Sequence, residues 1–168
     1  RYIFGVAREM MKLGVPVEGF DTAFAGDVPL GAGMSSSAAL ESCFAFALND
    51  LFGNNRIDKM TLAKVGQATE HNYLGCKCGI MDQFASAMGK ANHAIFLDCK
   101  NLDFKLVPLK MDGCKLVITN TNKKHSLASS KYNERRSECD RGYAILKEAL
   151  PEINCLGDVT AELFDKAK

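Results

Sequence analysis

Between Asp27 and Glu41 the chain runs for thirteen residues, Val28 to Leu40, without a charged side chain, and that run holds Gly31, Gly33 and the serines Ser35, Ser36 and Ser37. A membrane-spanning helix needs about 20 apolar residues, so the run is too short to cross a bilayer. Before it, over Val17 to Val28, Phe20, Thr22 and Phe24 alternate with Asp21, Ala23 and Ala25, which predicts a half-buried strand. After it, Ala38 to Phe52 is rich in Ala, Leu and Phe with almost no charge and is followed by Gly53, which predicts a helix buried on most faces.

Strand, glycine loop and helix together outline an anion site. Glycines let several backbone N–H groups converge, the helix N-terminus carries partial positive charge, and serine hydroxyls add donors and one candidate metal ligand. A triphosphate fits that field. Two common nucleotide fingerprints are excluded: no lysine follows in the manner of G-x-x-x-x-G-K-[ST], and G-x-G-x-x-G would need glycine where Ser36 stands. Spacing alone leaves a plainer alternative open, in which Gly-Ala-Gly is a tight turn and the serines cap a helix.

Charge adds a constraint. Twenty-one Lys and Arg against twenty Asp and Glu leave a net charge of +1, so no overall basic field gathers nucleic acid or an anionic membrane, and neither is expected as a partner. Lys123 and Lys124 are too small a cluster for a nucleic-acid surface. Hydrophobic residues at 47% and charged residues at 24% suit a folded globular chain. Seven cysteines and no N-x-S/T acceptor point to reduced thiols and a cytoplasmic setting. The chain opens on Arg1 in a helical pattern without signal-peptide regions, and is expected to be an internal piece of a longer protein.

Helical spacing of Tyr2, Ile3, Val6, Met10 and Leu13, stopped by Gly14 and Pro16, predicts a first helix. Asp58 is expected to cap a helix running to about Leu74 with Gly75 closing it, and Ile80 to Met88 a short helix ended by Gly89. Strands are expected at Ala94 to Leu97, Phe104 to Val107 and Leu116 to Thr119, and helices at Tyr132 to Leu150 and Thr160 to Lys168. The charges of Glu134, Arg135, Arg136, Glu138, Asp140 and Arg141 read as a solvated helix face.

A second constellation is QATEHNYLGCKCGIMDQFASAMG, with Glu70 and, twelve residues later, Asp82. Flanked by Ile80, Met81 and Phe84, Asp82 suits a carboxylate in a partly dry cleft, where a base is useful, although an aspartate at a helix start is also an ordinary cap. Cys76 and Cys78 with His71 lack the paired spacing of a zinc site. His125 suits a substrate contact or a structural hydrogen bond equally, and His93 has no partner pattern.

The string PLGAGMSSSAALE resembles the phosphate-binding motif of the GHMP kinases, P-x-x-x-G-L-x-S-S-A, with Met34 in place of the usual Leu. CGIMDQFASAMG and the downstream TNTNKKHSLASSKYNERRSEC are similar to galactokinases in particular, and the likeness extends from Tyr2 to Cys139. The resemblance implies an α+β GHMP kinase fold with a ribosomal-protein-like N-terminal domain, here residues 1–110, and the start of a C-terminal α+β domain at 111–168. It implies transfer of phosphate from ATP to the C1 hydroxyl of galactose, in a protein expected to be monomeric when complete.

By the same resemblance Gly31, Ala32, Gly33, Ser35 and Ser36 cradle ATP phosphates, Ser37 helps hold Mg²⁺ with Glu70, and Tyr2 lies near the nucleotide. It likewise implies that Asp82 is the catalytic carboxylate at the sugar C1 hydroxyl, as its base or its orienting partner, and that Gly79 and Tyr132 contact the sugar. Lys124 stands where some relatives carry Arg, which donates hydrogen bonds with a different geometry. The family's N-terminal signature and its C-terminal glycine-rich motif are not in this stretch, so residues 1–168 alone are expected to be inactive. Two rivals share the motifs: an N-acetylgalactosamine kinase, and a non-catalytic sensor of galactose and ATP.

Overall fold

The computed structural model describes residues 1–120 and 128–167. It divides into two compact units, Arg1–Ser126 and Leu127–Lys168. Lys123, Lys124 and His125, singled out in the sequence, lie outside the described residues.

The first unit is a group of crossing helices with one hairpin. α1 (Tyr2–Lys12) buries Val6 and Met10 on one stripe, as its spacing predicts, and Gly14 follows in the left-handed region at φ 77°, where a side chain is disfavoured. α2 (Ser36–Gly53) contributes Phe44, Ala45 and Leu48 to a core shared with Val6, Met10, Val15, Leu62 and Val65. Inside that core Asn49 is satisfied twice, donating to the Ile57 carbonyl at 3.0 Å and accepting from the Ile57 N–H at 3.1 Å. Both bonds tie the end of α2 to the loop before the next helix.

α3 (Lys59–Thr69) starts where expected, with Asp58 accepting from the Thr61 N–H at 3.0 Å. It runs into a π-helical turn, Glu70–Leu74, closed by Gly75 at φ 71°. α1 passes α3 closely: a Cβ on Gly5 would sit 2.6 Å from Thr69 Cγ2, so only glycine fits that crossing. α4 (Met81–Met88) packs Phe84 and Ala87 inward and ends at Gly89. The Phe84 ring meets Phe104 edge-on at 5.2 Å, fastening α4 to an antiparallel hairpin of β1 (His93–Leu97) and β2 (Phe104–Pro108), in which Ile95 faces Leu106.

Two expected strands are absent. Val17 to Val28 forms no ladder; Phe20 instead packs against Phe44 and Phe52, and Phe24 meets Phe44 edge-on at 5.5 Å. Leu116 to Thr119 likewise forms none, with Leu116 79% and Val117 82% exposed. A strand needs a partner for its backbone N–H and C=O groups. Among the described residues only β1 and β2 pair with each other.

The second unit carries α5 (Ala128–Ala149), a 3₁₀ turn (Leu156–Asp158) and α6 (Ala161–Ala167). α5 is studded with pairs such as Arg135–Glu138 at 2.9 Å and Arg136–Asp140 at 2.9 Å, the solvated face that its charge pattern predicts. Lys147 donates to the Pro151 carbonyl at 2.6 Å, and Asp158 accepts from the Asn154 N–H at 2.7 Å, folding the following loop onto the helix end. No helix among the described residues is long and apolar enough to cross a membrane.

Candidate active site

The glycine segment is a turn, with Gly31 at φ 70° and Gly33 at φ 72°. A Cβ at either would meet nothing within 4 Å, so the backbone conformation, and not crowding, is what calls for glycine there. Ser35 follows in the left-handed region at φ 55° and occupies the capping position of α2, yet its side chain makes no capping bond. The plain capping role is therefore not the one Ser35 fills. A residue with a Cβ pays on the order of 1–3 kcal/mol for such a conformation, and strain of this kind persists where surroundings over-determine it, commonly at functional sites.

Two residues into α2, Ser37 stands close enough to the Glu70 carboxylate to favour its charged form. Glu70 opens the π turn and is buried. Burial pushes its carboxyl above the ordinary range, the Ser37 hydroxyl and His71 oppose that, and the nearby charge of Asp82 adds to it. Ser37, Glu70 and Asp82, drawn from α2, the end of α3 and α4, thus stand at one junction. π turns occur mostly as single insertions in α-helices, often at functional sites.

Asp82 is half-buried at the second position of α4, whose capping position belongs to Ile80; it is not the helix cap. Gly79, exposed, lies just ahead of this helix. Tyr2, at the start of α1, has its phenol pushed up by burial and then by Glu70, Glu41 and Cys76, so it belongs to the same junction. Ala32 and Ser36 are half-buried in and just after the glycine turn. Tyr132 lies on α5 in the second unit, 45% exposed.

The loop between the π turn and α4 is pinned by its Cys78 carbonyl, which accepts from Gln67 Nε2 at 3.2 Å and lies 2.8 Å from His71 Nε2. Burial, then Glu70, pushes the Cys78 thiol up to about 12, and burial raises Cys76 as well. Such thiols stay protonated and are poor nucleophiles or metal ligands. Among the described residues no group of three or more His, Cys, Asp and Glu is placed to hold a metal ion.

Beneath this junction lies a pair not singled out from the sequence. Glu41, one turn beyond Ser37 on α2, is 0% exposed, and its Oε2 accepts from Gln83 Nε2 at 3.1 Å. Burial pushes the Glu41 carboxyl up to about 8, against the Gln83 bond and with the charge of Glu70 adding. One signal was visible: a glutamate in an otherwise apolar run four residues after the last of the three serines.

The chain is similar to known proteins over most of its length. A family described as GHMP kinases N terminal domain matches residues 1–90. Galactokinase of Halalkalibacterium halodurans is 46% identical over 163 residues, spanning 97% of this chain and 41% of that protein. Galactokinase of Clostridium beijerinckii is 49% identical over 150 residues, 89% of this chain and 38% of the relative. A crystal structure of Lactococcus lactis galactokinase complexed with galactose matches with a TM-score of 0.81 at 33% identity, covering 98% of this chain and 42% of that one. The chain thus spans about two-fifths of the length of these relatives. With the glycine turn, the serine helix and the α2–α4 junction all inside the matched residues 1–90, the α+β fold is that of these kinases, and the chain belongs to the GHMP kinase family.

Proposed function

We propose that the intact protein transfers the terminal phosphoryl group of ATP to the C1 hydroxyl of galactose. The single observation that carries this reading is the junction of Ser37, Glu70 and Asp82 directly after the glycine turn. The galactose named for the Lactococcus lactis structure favours that sugar over N-acetylgalactosamine. Residues 1–110 would then belong to the N-terminal kinase domain and 111–168 open the next, in a cytoplasmic enzyme.

Phosphoryl transfer asks a protein chiefly for alignment and for charge neutralisation on the moving group. The backbone of Gly31, Ala32, Gly33, Ser35 and Ser36 supplies amides for the phosphates at the positive end of α2, with Tyr2 contacting the nucleotide. Ser37 and Glu70 would hold Mg²⁺. The fit is chemical: a hydroxyl and a carboxylate are hard oxygen donors close to each other, and Glu70 is raised first by burial and then by the charge of Asp82, which a cation would offset. When bound, the ion supplies neutralisation of phosphate charge. Gly79, just ahead of α4, contacts the sugar.

Asp82 accepts a hydrogen bond from the C1 hydroxyl and takes its proton. The sugar oxygen forms the new bond to the γ-phosphorus while the β–γ bridging bond breaks and its electron pair leaves with ADP. Asp82 stands half-buried near Glu70, where contacts to a charged group are stronger than in open water.

The test is turnover of the intact protein with galactose and N-acetylgalactosamine in competition, alongside Asp82→Asn. Galactose is expected to be preferred, and the substitution to lower kcat by about 10²–10⁴-fold with ATP binding retained. Undiminished turnover in Asp82→Asn would remove the carboxylate from this role. Preference for N-acetylgalactosamine would replace the substrate, and binding of both ligands without product would point to a sensor.

A further inference from the structure

Three facts meet at the crossing of α2, α3 and α4. Glu41 and Gln83 join α2 and α4 through a buried hydrogen bond at 3.1 Å. Glu41 Oε1 and Gln83 Oε1 are both buried without a hydrogen-bond partner. Gly66 of α3 leaves room for the pair, since a Cβ there would stand 2.8 Å from Gln83 Cγ and 3.2 Å from Glu41 Oε2. Buried polar atoms left unpaired are costly, and native structures rarely keep them.

We propose that Glu41 and Gln83 are positioning residues: a carboxylic acid and a carboxamide joined by two parallel hydrogen bonds, which lock α4, and with it Asp82, against the helix that carries Ser37. This rests on the assignment of Asp82 made above. A single proton on Glu41 answers both orphaned oxygens at once, because an O–H on Oε1 has Gln83 Oε1 as its acceptor while Gln83 Nε2 donates to Oε2. The raised carboxyl of Glu41 agrees with a neutral acid. Gln83 is the next residue after Asp82, and Glu41 lies one helical turn from Ser37, so the pair spans from one side of the reacting centre to the other without touching it. The Gln83 amide also stands near the Cys78 thiol, in the loop leading into α4.

The experiment uses the intact protein with Glu41→Gln, Glu41→Leu, Gln83→Leu and the double Leu variant. Glu41→Gln replaces acid and amide by two amides and keeps both hydrogen bonds, so kcat is expected within about twofold of the parent, as for an isosteric partner. Either single Leu variant should lower kcat by about tenfold to a hundredfold, the penalty of a misplacement near 1 Å, with the ATP dissociation constant unchanged. The double Leu variant removes all the unpaired polarity, so its melting temperature should recover while kcat stays low. A purely structural pair would instead regain both together.

Hydrogen exchange of the amides of residues 81–88 provides the second readout, independent of catalysis: about tenfold faster in the single Leu variants, and unchanged in Glu41→Gln. If the parent protein phosphorylates no sugar, the functional proposal fails by itself and the exchange pattern alone decides on the pair. The positioning role is overturned if Glu41→Gln is as damaging as Glu41→Leu, or if Gln83→Leu leaves kcat and exchange unchanged.

Discussion

Glu41 and Glu134 are the same side chain on two helices, α2 and α5, and their carboxyl groups are driven in opposite directions. Burial pushes Glu41 up to about 8, whereas a hydrogen bond from Lys131, with Lys131 and Arg135 charges nearby, lowers Glu134. α2 crosses α1, α3 and α4 in a core, so a polar group placed there must find its partner inside the protein. No described residue from Lys131 to Ala149 on α5 is buried, and its charges answer to one another and to water. The contrast teaches that residue type does little to mark a working group. Chemistry concentrates where helices cross and solvent is excluded, and a helix such as α5 uses the same residues for solubility.

The contrast can be broken or sharpened by substitution. The largest effect should come from Leu48→Ala, which empties part of the shared core and is expected to lower unfolding stability by about 2–5 kcal/mol, measured by denaturant titration. A loss below about 1 kcal/mol would mean the site of Leu48 collapses freely and the core is loosely packed. Next is a pH effect. A carboxyl raised on folding contributes stability that is present below its unfolded value of 4.5 and is lost as pH rises through about 8. Unfolding titrations of the parent and Glu41→Gln across that window should diverge in the variant's favour toward the alkaline end. Parallel curves would show that Glu41 folds already ionised. The smallest effect belongs to Arg136→Ala, which breaks the pair with Asp140 on α5 and should shift stability by no more than about 0.5 kcal/mol. A larger loss would make the α5 charges structural and erase the difference between the two helices.

How far the sequence carried these conclusions differs by element. The Asp58 cap and the Gly75 stop were readable because both are local: each depends on a few residues and on backbone sterics. Val17 to Val28 differs because alternation reports which side chains turn inward and says nothing about whether a ladder partner exists, and Leu116 to Thr119 differs because β-favouring residues say equally little about a partner. Phe20 and Phe24 do turn inward, onto Phe44, with no strand around them. Ser37, Glu70 and Asp82 came from resemblance to a motif, and the approach of the first to the second is what periodicity could never supply. Glu41 and Gln83 went unnoticed as partners, since nothing in the spacing of positions 41 and 83 relates them; only the crossing at Gly66 does.

The turn at Glu70–Leu74 has a bearing on how such a protein can change over generations. A wide turn amounts to one residue slipped into a helix, and each residue in a helix swings its successors by about 100° around the axis. Gain or loss of one residue there would re-aim Glu70 relative to the chain that follows without altering any side chain's chemistry. Length, at this one place, is as strong a lever on the corner where Glu70 meets Asp82 as any change of amino acid.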